Sequence, residues 1–490
     1  MFSILHISDL HRSPDDPALN DDLIASLVFD RDRYVHEEHP PIRPPDAIVV
    51  SGDLIQGVPL AVPDYDEQIR QQYDVAFRFL VGLTERFLAG DRSRVILVPG
   101  NHDVNWNLAR SAMEPVLADA EPKSLPAELS RPGTPFRWCW KPRTLFRVMN
   151  PALYETRMSA FWDFFERFYR GVSLPYSVGR QDGYNLFELE NGRMAVAAFD
   201  SCYGNDCFSP AGNVADGAIS RSALELRDNG RGYELRIAIW HHSVQGPPHA
   251  TDYLNVDALY TMISCGYRVG LHGHQHKAEA LPYSLRLPGQ HTMAVISAGS
   301  LCAGARELPR GINRQYNVIE IRDDYLSARV HVRVMLAGSA FGPALSPALG
   351  GSSFVDLTWE RPTDPYGGPL DERELRLNSL ILEAEAAFHG LDFLRVEALL
   401  APYGDELGFH GRRLMIEAAR RDSRWLDLAR HTDPPRTIEE LIFHVEALRK
   451  LGRSAAARIA LRGYASRLGL PTPQQEEILS RLDIEDTLRS

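Results

Sequence analysis

Lysine is nearly missing from this chain of 490 residues: it occurs only at Lys123, Lys141, Lys277 and Lys450, so almost all positive charge is arginine. Arginine forks well onto phosphate, although codon bias in a GC-rich genome produces the same preference. Cysteine is scarce too. Cys139, Cys202, Cys207, Cys265 and Cys302 are too few and too scattered for a disulfide framework, and no Cys-x-x-Cys pair suggests a zinc ribbon or redox dithiol. Free packing thiols are expected. No stretch approaches the roughly 18 apolar residues of a membrane-spanning helix. Met1-Phe2-Ser3 runs into a strand without a signal-peptide pattern, so no membrane association and a cytoplasmic location are expected. Acidic groups outnumber basic ones, 65 to 53, for a net charge of −12, which argues against a broad basic surface for duplex nucleic acid. Any such contact must be local.

What is present is an ordinary globular composition, 44% hydrophobic and 24% charged, of a size for roughly two to three domains. Ile4–Ile7, Ala47–Val50, Val95–Val98, Met194–Phe199, Leu235–Trp240 and Val269–Leu271 read as buried strands. Between them Asp22–Val35 and Glu67–Leu88 read as helices, the second burying one face through Ile69, Tyr73, Phe77, Leu80 and Phe87. The alternation predicts an α/β domain over residues 1–336. Residues 104–184 interrupt it as an insertion, rich in Phe136, Trp138, Trp140 and Phe146 and then Tyr154, Met158, Phe161, Trp162, Phe165 and Phe168, that packs beside or over the site. Tyr316–Ile321 and Ala328–Met335 form a predicted hairpin closing a sheet edge. Residues 337–369, rich in Gly, Pro and Ser, read as a linker with a possible edge strand at Phe354–Trp359. From 370 to 490 helical patterning is continuous, with breaks at Gly404, Asp433-Pro434-Pro435, Gly452 and Pro471-Thr472-Pro473. Thr437–Lys450 and Arg453–Leu468 suggest a helical hairpin of the α-solenoid kind, without a clean repeat period.

Nearly every apolar run ends in a polar cluster: Ser8-Asp9-Leu10-His11, Ser51-Gly52-Asp53, Pro99-Gly100-Asn101-His102-Asp103, Asp200-Ser201, His241-His242-Ser243 and Gly273-His274-Gln275-His276. In α/β sheets ligands gather outside the carboxyl ends of strands, so these clusters should converge on one rim. Asp9, His11, Asp53, Asn101, His241, His274 and His276 make an oxygen and imidazole set suited to Mn, Fe, Zn or Co. They exceed what one tetrahedral ion needs, which points to two ions sharing a bridging carboxylate.

The ordered series Asp9-x-His11, Gly52-Asp53, Gly100-Asn101-His102-Asp103, His241 and Gly273-His274-x-His276 resembles the calcineurin-like metallophosphoesterase superfamily over roughly residues 1–335. The resemblance implies a two-sheet αββα sandwich, here followed by an all-α C-terminal domain. It implies that Asp9, His11 and His276 hold a first divalent ion and Asn101, His241 and His274 a second, with Asp53 bridging and manganese favoured. A hydroxide generated between the ions would attack phosphorus in line. His102 would donate a proton to the leaving group, and Asp103 would fix its tautomer and orientation.

Several residues admit two readings. His242 touches substrate or a neighbouring side chain, and Arg12 reaches a phosphate oxygen or is a common rim arginine. His6 and His272 read as structural, and Asp200-Ser201 orients a ligand loop or caps the next element. The segment Phe136-Arg137-Trp138-Cys139-Trp140-Lys141-Pro142-Arg143 suits stacking on single-stranded bases, or forms a small core with arginine stems over it. The implied substrate is a phosphodiester or a phosphomonoester. The cyclic-nucleotide phosphodiesterase branch fits better than the purple acid phosphatases, whose tyrosine ligand has no match near Asp53, the third position on being Gln56. The alternatives are a nuclease for single-stranded nucleic acid and, from another class, a partner-binding scaffold. Residues 370–490 offer a place for a protein partner or self-association.

Overall fold

A computed structural model of the chain describes residues 1–482 apart from 17, 117–124, 130–132, 140–142, 175–181, 245–251, 280–291, 305–307, 310, 337, 346–351, 360–371, 405, 408, 469, 471, 473, 477 and 481. Trp140, Lys141, Pro142, Pro471, Pro473 and much of the 337–369 stretch therefore lie outside the described residues. The chain divides into two compact units near residue 365.

In the first unit, the short apolar runs become parallel neighbours β1 (Phe2–Ile7), β2 (Ala47–Val50) and β3 (Val95–Leu97), every residue of them buried. Burial on both faces is why they read as unbroken apolar runs rather than alternating ones. The crossovers are helices Asn20–His36 and Tyr65–Leu88, which send Leu23, Leu27, Ile69, Phe79 and Leu83 into the core. Both carry acidic residues in the first turn and basic ones in the last, as the helix dipole favours.

The insertion does two different things. Three of its strands, β4 (Met113–Pro115), β5 (Phe136–Cys139) and β6 (Thr144–Val148), form a small antiparallel sheet in the order β4-β6-β5. Ala109, Ala112, Met113, Phe146, Val148 and Tyr154 give it a core of its own. Helix Ser159–Tyr169 instead joins the main core through Phe161, Phe164, Phe165 and Phe168. Each such fully buried aromatic contributes roughly 1.5–3 kcal/mol of burial.

The second large sheet runs β11-β10-β9-β8-β7, from β7 (Tyr184–Leu189), β8 (Met194–Phe199), β9 (Leu235–Ile239), β10 (Val269–His272) and β11 (Ala294–Ser297). All its pairs are parallel except β7 with β8. Ile4, Val49 and Ile96 of the first sheet and Val196, Ile237, Leu271 and Ile296 of the second belong to one hydrophobic core, so the two sheets pack face to face. Helix Ala218–Asp228 lies on β7 and β8. The result is the expected mixed α/β sandwich. The hairpin β12 (Gln315–Ile321) and β13 (Ser327–Met335) continues the first sheet antiparallel to β1, with Ile4 opposite Ile319. Part of the stretch read as linker extends that sheet: β14 (Phe341–Pro343) and β15 (Phe354–Thr358) both pair with β13. Directly opposite Arg329 stands Asp356, joined by two hydrogen bonds of 2.8 Å.

The second unit is helical, with helices Glu372–His389, Phe393–Leu400, Phe409–Arg421, Trp425–His431, Ile438–Lys450 and Ser454–Leu468. The last two are the expected hairpin, and Leu441, Val445, Ala457 and Leu461 lie in their common core. Among the described residues no helix is long and apolar enough to cross a membrane.

Candidate metal centre

Five strand ends deliver the site. Asp9 and His11 follow β1, Asp53 follows β2, Asn101 and His102 follow β3, His241 and His242 follow β9, and His274 and His276 follow β10. All lie at carboxyl ends of parallel strands. The backbone is sharply bent there: Asp9, His11, Asp53, His274 and His276 have φ between 44° and 76°. A non-glycine residue in that left-handed region costs on the order of 1–3 kcal/mol and persists only where its surroundings over-determine it. The motif glycines allow close approach of other strands' ligands. A Cβ on Gly100 would lie 2.2 Å from Asp53 Oδ1, and one on Gly52 2.4 Å from His241 Nδ1.

The donor atoms of Asp9, His11, Asp53 and His276 all fall within 4.8 Å of one another, a grouping able to hold a metal ion. His276 Nε2 is 3.2 Å from Asp9 Oδ1, and His11 Nε2 is 3.2 Å from His276 Nε2. Alongside, Asn101 Oδ1 lies 3.0 Å from His241 Nε2 and 2.9 Å from His274 Nδ1. Asp53 Oδ2 is 3.2 Å from His241 Nε2 and 3.8 Å from His11 Nε2, so it faces both halves. The structure thus brings together Asp9, His11, Asp53, Asn101, His241, His274 and His276.

Second contacts aim these side chains. His241 Nδ1–H donates to the Ser51 carbonyl at 2.8 Å, which turns Nε2 to the cluster. His274 presents Nδ1 to Asn101 and its Nε2 to Asp252 Oδ2 at 3.0 Å. The His274 backbone N–H donates to Asp9 Oδ2 at 3.1 Å.

The electrostatics call for a cation. Burial alone would raise the Asp9 and Asp53 carboxyls, but the histidines around them hold both below the usual carboxylate range. Burial alone would lower His241, yet the Asp53 carboxylate outweighs it and pushes the imidazole up to about 9. Burial, with His102 beside it, pulls His11 down to about 4. Asp9 Oδ1, fully buried, accepts no hydrogen bond of good geometry, and a buried carboxylate oxygen left so is costly. Two buried carboxylates, an amide oxygen and four imidazoles therefore fit divalent metal, which would replace the proton that Asp53 keeps on His241.

Three expectations need correction. Asp103 does not fix the His102 tautomer: its carboxylate accepts from the Gly100 and Leu54 backbone N–H groups at 2.8 and 3.2 Å and from the Tyr73 hydroxyl at 3.1 Å. Burial and the nearby Asp53 push it up to about 7. The Gln56 carbonyl takes that role, 2.7 Å from His102 Nδ1. His242 is not a substrate contact, because it is fully buried with one ring nitrogen 2.9 Å from Ser201 Oγ and the other 3.2 Å from Asn205 Nδ2. Arg12 is buried as well, its guanidinium given to Asp16 at 2.6 Å, Cys302 Sγ at 2.8 Å and the Ala18 carbonyl at 2.8 Å. His6 and His272 are structural: His6 Nε2 is 3.0 Å from Ser51 Oγ, and His272 stacks on Trp240. Ser201 does serve the ligand loop, accepting the His241 backbone N–H at 3.1 Å. In the aromatic and basic segment Arg137 is buried on Asp206, and Arg147 of the following strand covers the Phe136 ring, while Trp140, Lys141 and Pro142 lie outside the described residues.

Sequence reasoning missed Asp252, Gln56 and Asn205. Gln56 acts through a carbonyl that any residue supplies. Asp252 lies in a loop with no motif, and only its carboxylate, 22 positions before His274, was there to be noticed.

Comparison with known proteins places this arrangement. No curated protein sequence matches the chain. Solved structures similar to it include the calcineurin-like phosphoesterase YfkN from Bacillus subtilis, 13% identical, covering 79% of this chain and 98% of that one with a TM-score of 0.30. A Vps29 complexed with zinc from Entamoeba histolytica is 10% identical, with 72% and 99% covered and a TM-score of 0.25. Vps29 from Chaetomium thermophilum is 10% identical, with 74% and 100% covered and a TM-score of 0.25. The calcineurin-like phosphoesterase family model matches residues 2–278, more than half of the chain and every strand end that bears a metal-capable side chain. The chain therefore belongs to the calcineurin-like phosphoesterases, a family of metal-dependent phosphoric ester hydrolases.

Proposed function

We propose that the chain hydrolyses a phosphodiester with two divalent ions, one held by Asp9, His11 and His276, the other by Asn101, His241 and His274, with Asp53 between them and His102 as proton donor. The observation that carries this reading is Asp53 Oδ2, which lies within 3.8 Å of His11 and 3.2 Å of His241, members of opposite halves of the cluster. Such a pair of ions, when bound, brings the pKa of a water toward neutrality and offsets charge on the phosphoryl oxygens. Manganese suits an oxygen and imidazole set without thiolate, with iron, zinc and cobalt as alternatives.

The chain's own residues supply the acid. Gln56 O fixes the Nδ1 proton of His102, so Nε2 is the atom that releases a proton as the leaving alkoxide forms. The His102 backbone N–H donates to Asp53 Oδ1 at 2.8 Å, which ties the acid to the shared carboxylate. A diester rather than a monoester is supported by what flanks the ligands. Arg12, next to His11, is occupied by Asp16, and Lys277, next to His276, by Glu279, so neither stands ready for the second charge of a monoester.

The test is hydrolysis of bis-p-nitrophenyl phosphate, p-nitrophenyl phosphate, a cyclic nucleotide and labelled single-stranded DNA by protein stripped and reloaded with Mn²⁺, beside Asp53→Ala and His102→Ala. Metal-dependent diester turnover that Asp53→Ala abolishes is the expected result. Preferential cleavage of DNA would make the protein a nuclease, and failure to bind any divalent ion would overturn the assignment.

The helical unit we assign to partner recognition. Leu426, Ile459 and Tyr464 line a groove there of about 440 Å³, with Arg430, Arg453 and one acid, Asp433, among its walls. Leu426 and Ile459 are 52% and 74% exposed, and no acidic residue occurs between Glu446 and Glu476. Those features suit an acidic segment bearing apolar side chains. Peptides selected from a displayed library on the full chain should be of that kind and should not bind Ile459→Asp; selection of basic peptides, or of none, would refute the assignment.

A further inference from the structure

The small sheet β4-β6-β5 contributes no donor to the cluster, yet buried contacts tie it to the loop that follows β8. Arg137 on β5, only 4% exposed, donates from Nε to Asp206 Oδ2 at 2.5 Å and from Nη2 to the Gly204 carbonyl at 3.2 Å. The Tyr154 hydroxyl donates to the same Asp206 oxygen at 2.6 Å. Arg157 holds the Asn205 carbonyl through Nε at 3.1 Å and lies over the Tyr154 ring. Asp206 Oδ1 accepts the Phe208 and Ser209 N–H groups at 2.8 and 3.1 Å, so the loop cannot turn without breaking that carboxylate's bonds.

The contacts continue inward. Asn205 Nδ2 donates to the Pro210 carbonyl at 2.9 Å and stands 3.2 Å from His242 Nε2. A ring nitrogen met by an amide N–H accepts, so the His242 proton sits on Nδ1 and is given to Ser201 Oγ at 2.9 Å. Ser201 Oγ also accepts the backbone N–H of His241 at 3.1 Å. Ser201, Asn205 and His242 are each at most 1% exposed, so no bulk water is at hand to replace a lost link.

We infer that the inserted sheet is a buttress for the metal centre: acting through Asp206, Asn205, His242 and Ser201, it sets the position of His241, which makes Ser201 and His242 positioning residues for the second ion, a role that rests on the two-ion reading above. Two consecutive histidines thereby divide the work, the first presenting Nε2 to the ion and the second holding the first one's backbone in place.

The test is titration of metal-free full-length protein with Co²⁺, followed by calorimetry and by the visible absorption bands, for wild type, Ser201→Ala, His242→Asn, His242→Ala and Asp206→Asn. His242→Asn keeps an N–H near the Nδ1 position, so it should rescue part of what His242→Ala loses. Two binding events are expected in the wild type. In Ser201→Ala and Asp206→Asn one of them should weaken about 10–100-fold with altered bands while the other stays within about threefold. Both affinities and both spectra unchanged in Ser201→Ala, with only a lower melting temperature, would overturn the buttress role. That variant removes a single oxygen, so it answers the question even where Asp206→Asn fails to fold. A wild type that binds fewer than two ions overturns the two-ion reading and the buttress with it, a failure told apart because it precedes any substitution.

Discussion

Gly100→Ala isolates the geometry of the site from the chemistry of its ligands. The backbone there is extended, φ −119° and ψ −179°, which alanine adopts without penalty. The added methyl, however, would stand 2.2 Å from Asp53 Oδ1, 2.4 Å from the Asp53 nitrogen and 2.8 Å from its Cγ. Reaching even a 3.0 Å contact requires Asp53 to move by about 0.8 Å, and the amide nitrogen cannot swing aside as a side-chain tip does. A displacement of about 1 Å at a reacting centre costs about 100-fold in rate, and overpacking a tight interior costs roughly 1–3 kcal/mol of stability. Since Asp53 faces both halves of the cluster, both metal affinities should fall together, unlike the one-sided loss expected for Ser201→Ala. Gly232 is the control, for a Cβ there meets nothing within 4 Å. The assay is Mn²⁺-dependent diester turnover with calorimetric metal binding and thermal melting on both variants. Retention of affinity and turnover within about threefold in Gly100→Ala would refute the packing argument, since a 1 Å shift predicts far more.

Asp252→Ala removes the carboxylate on His274 Nε2, and calorimetry should find affinity for one ion about 10-fold weaker or worse, an unchanged isotherm counting against that contact. Phe165→Ala empties a site 1% exposed and lined by Phe161, Trp162 and Tyr169. Urea unfolding of the full chain should then show the unit carrying it destabilised by about 3–5 kcal/mol, and a loss under about 1 kcal/mol would contradict its place in the core. The Arg329 guanidinium lowers the Asp356 carboxyl below its ordinary value. A depressed folded pKa contributes stability above the unfolded value of 3.8 that is lost as pH falls through the folded one. The melting-temperature difference between wild type and Asp356→Asn should therefore be small at pH 7 and vanish below the folded pKa; a difference growing on acidification would reverse the sign.

The site's elements could be read from the sequence because one physical rule placed them there. Strands buried on both faces are short apolar runs, and the polar groups that break such runs stand at strand ends, so Asp9, Asp53, Asn101, His241 and His274 announced themselves by interrupting hydrophobicity. The motif glycines were visible for a related reason, since Gly52 and Gly100 each give up a side chain to admit a ligand from another strand. β14 escaped notice because three residues containing Gly and Pro carry no period; only the register of β13 makes them a strand. The misjudged residues fail differently. His242 and Arg12 sit beside ligands in sequence, but the chain bends at these strand ends, with His11 at φ 44°, and neighbouring side chains diverge. One neighbour faces the cluster while the other enters the interior, where Ser201 and Asn205, or Asp16 and Cys302, meet it. At His242 and Arg12 adjacency to a ligand therefore marks a buried side chain rather than a substrate contact. Asp103 makes the same point from the acid side: burial and the nearby Asp53 push its carboxyl up to about 7. Its use is to hold the Gly100 and Leu54 backbone around the ligands, and the orienting of His102 falls to a carbonyl that no side-chain motif can encode.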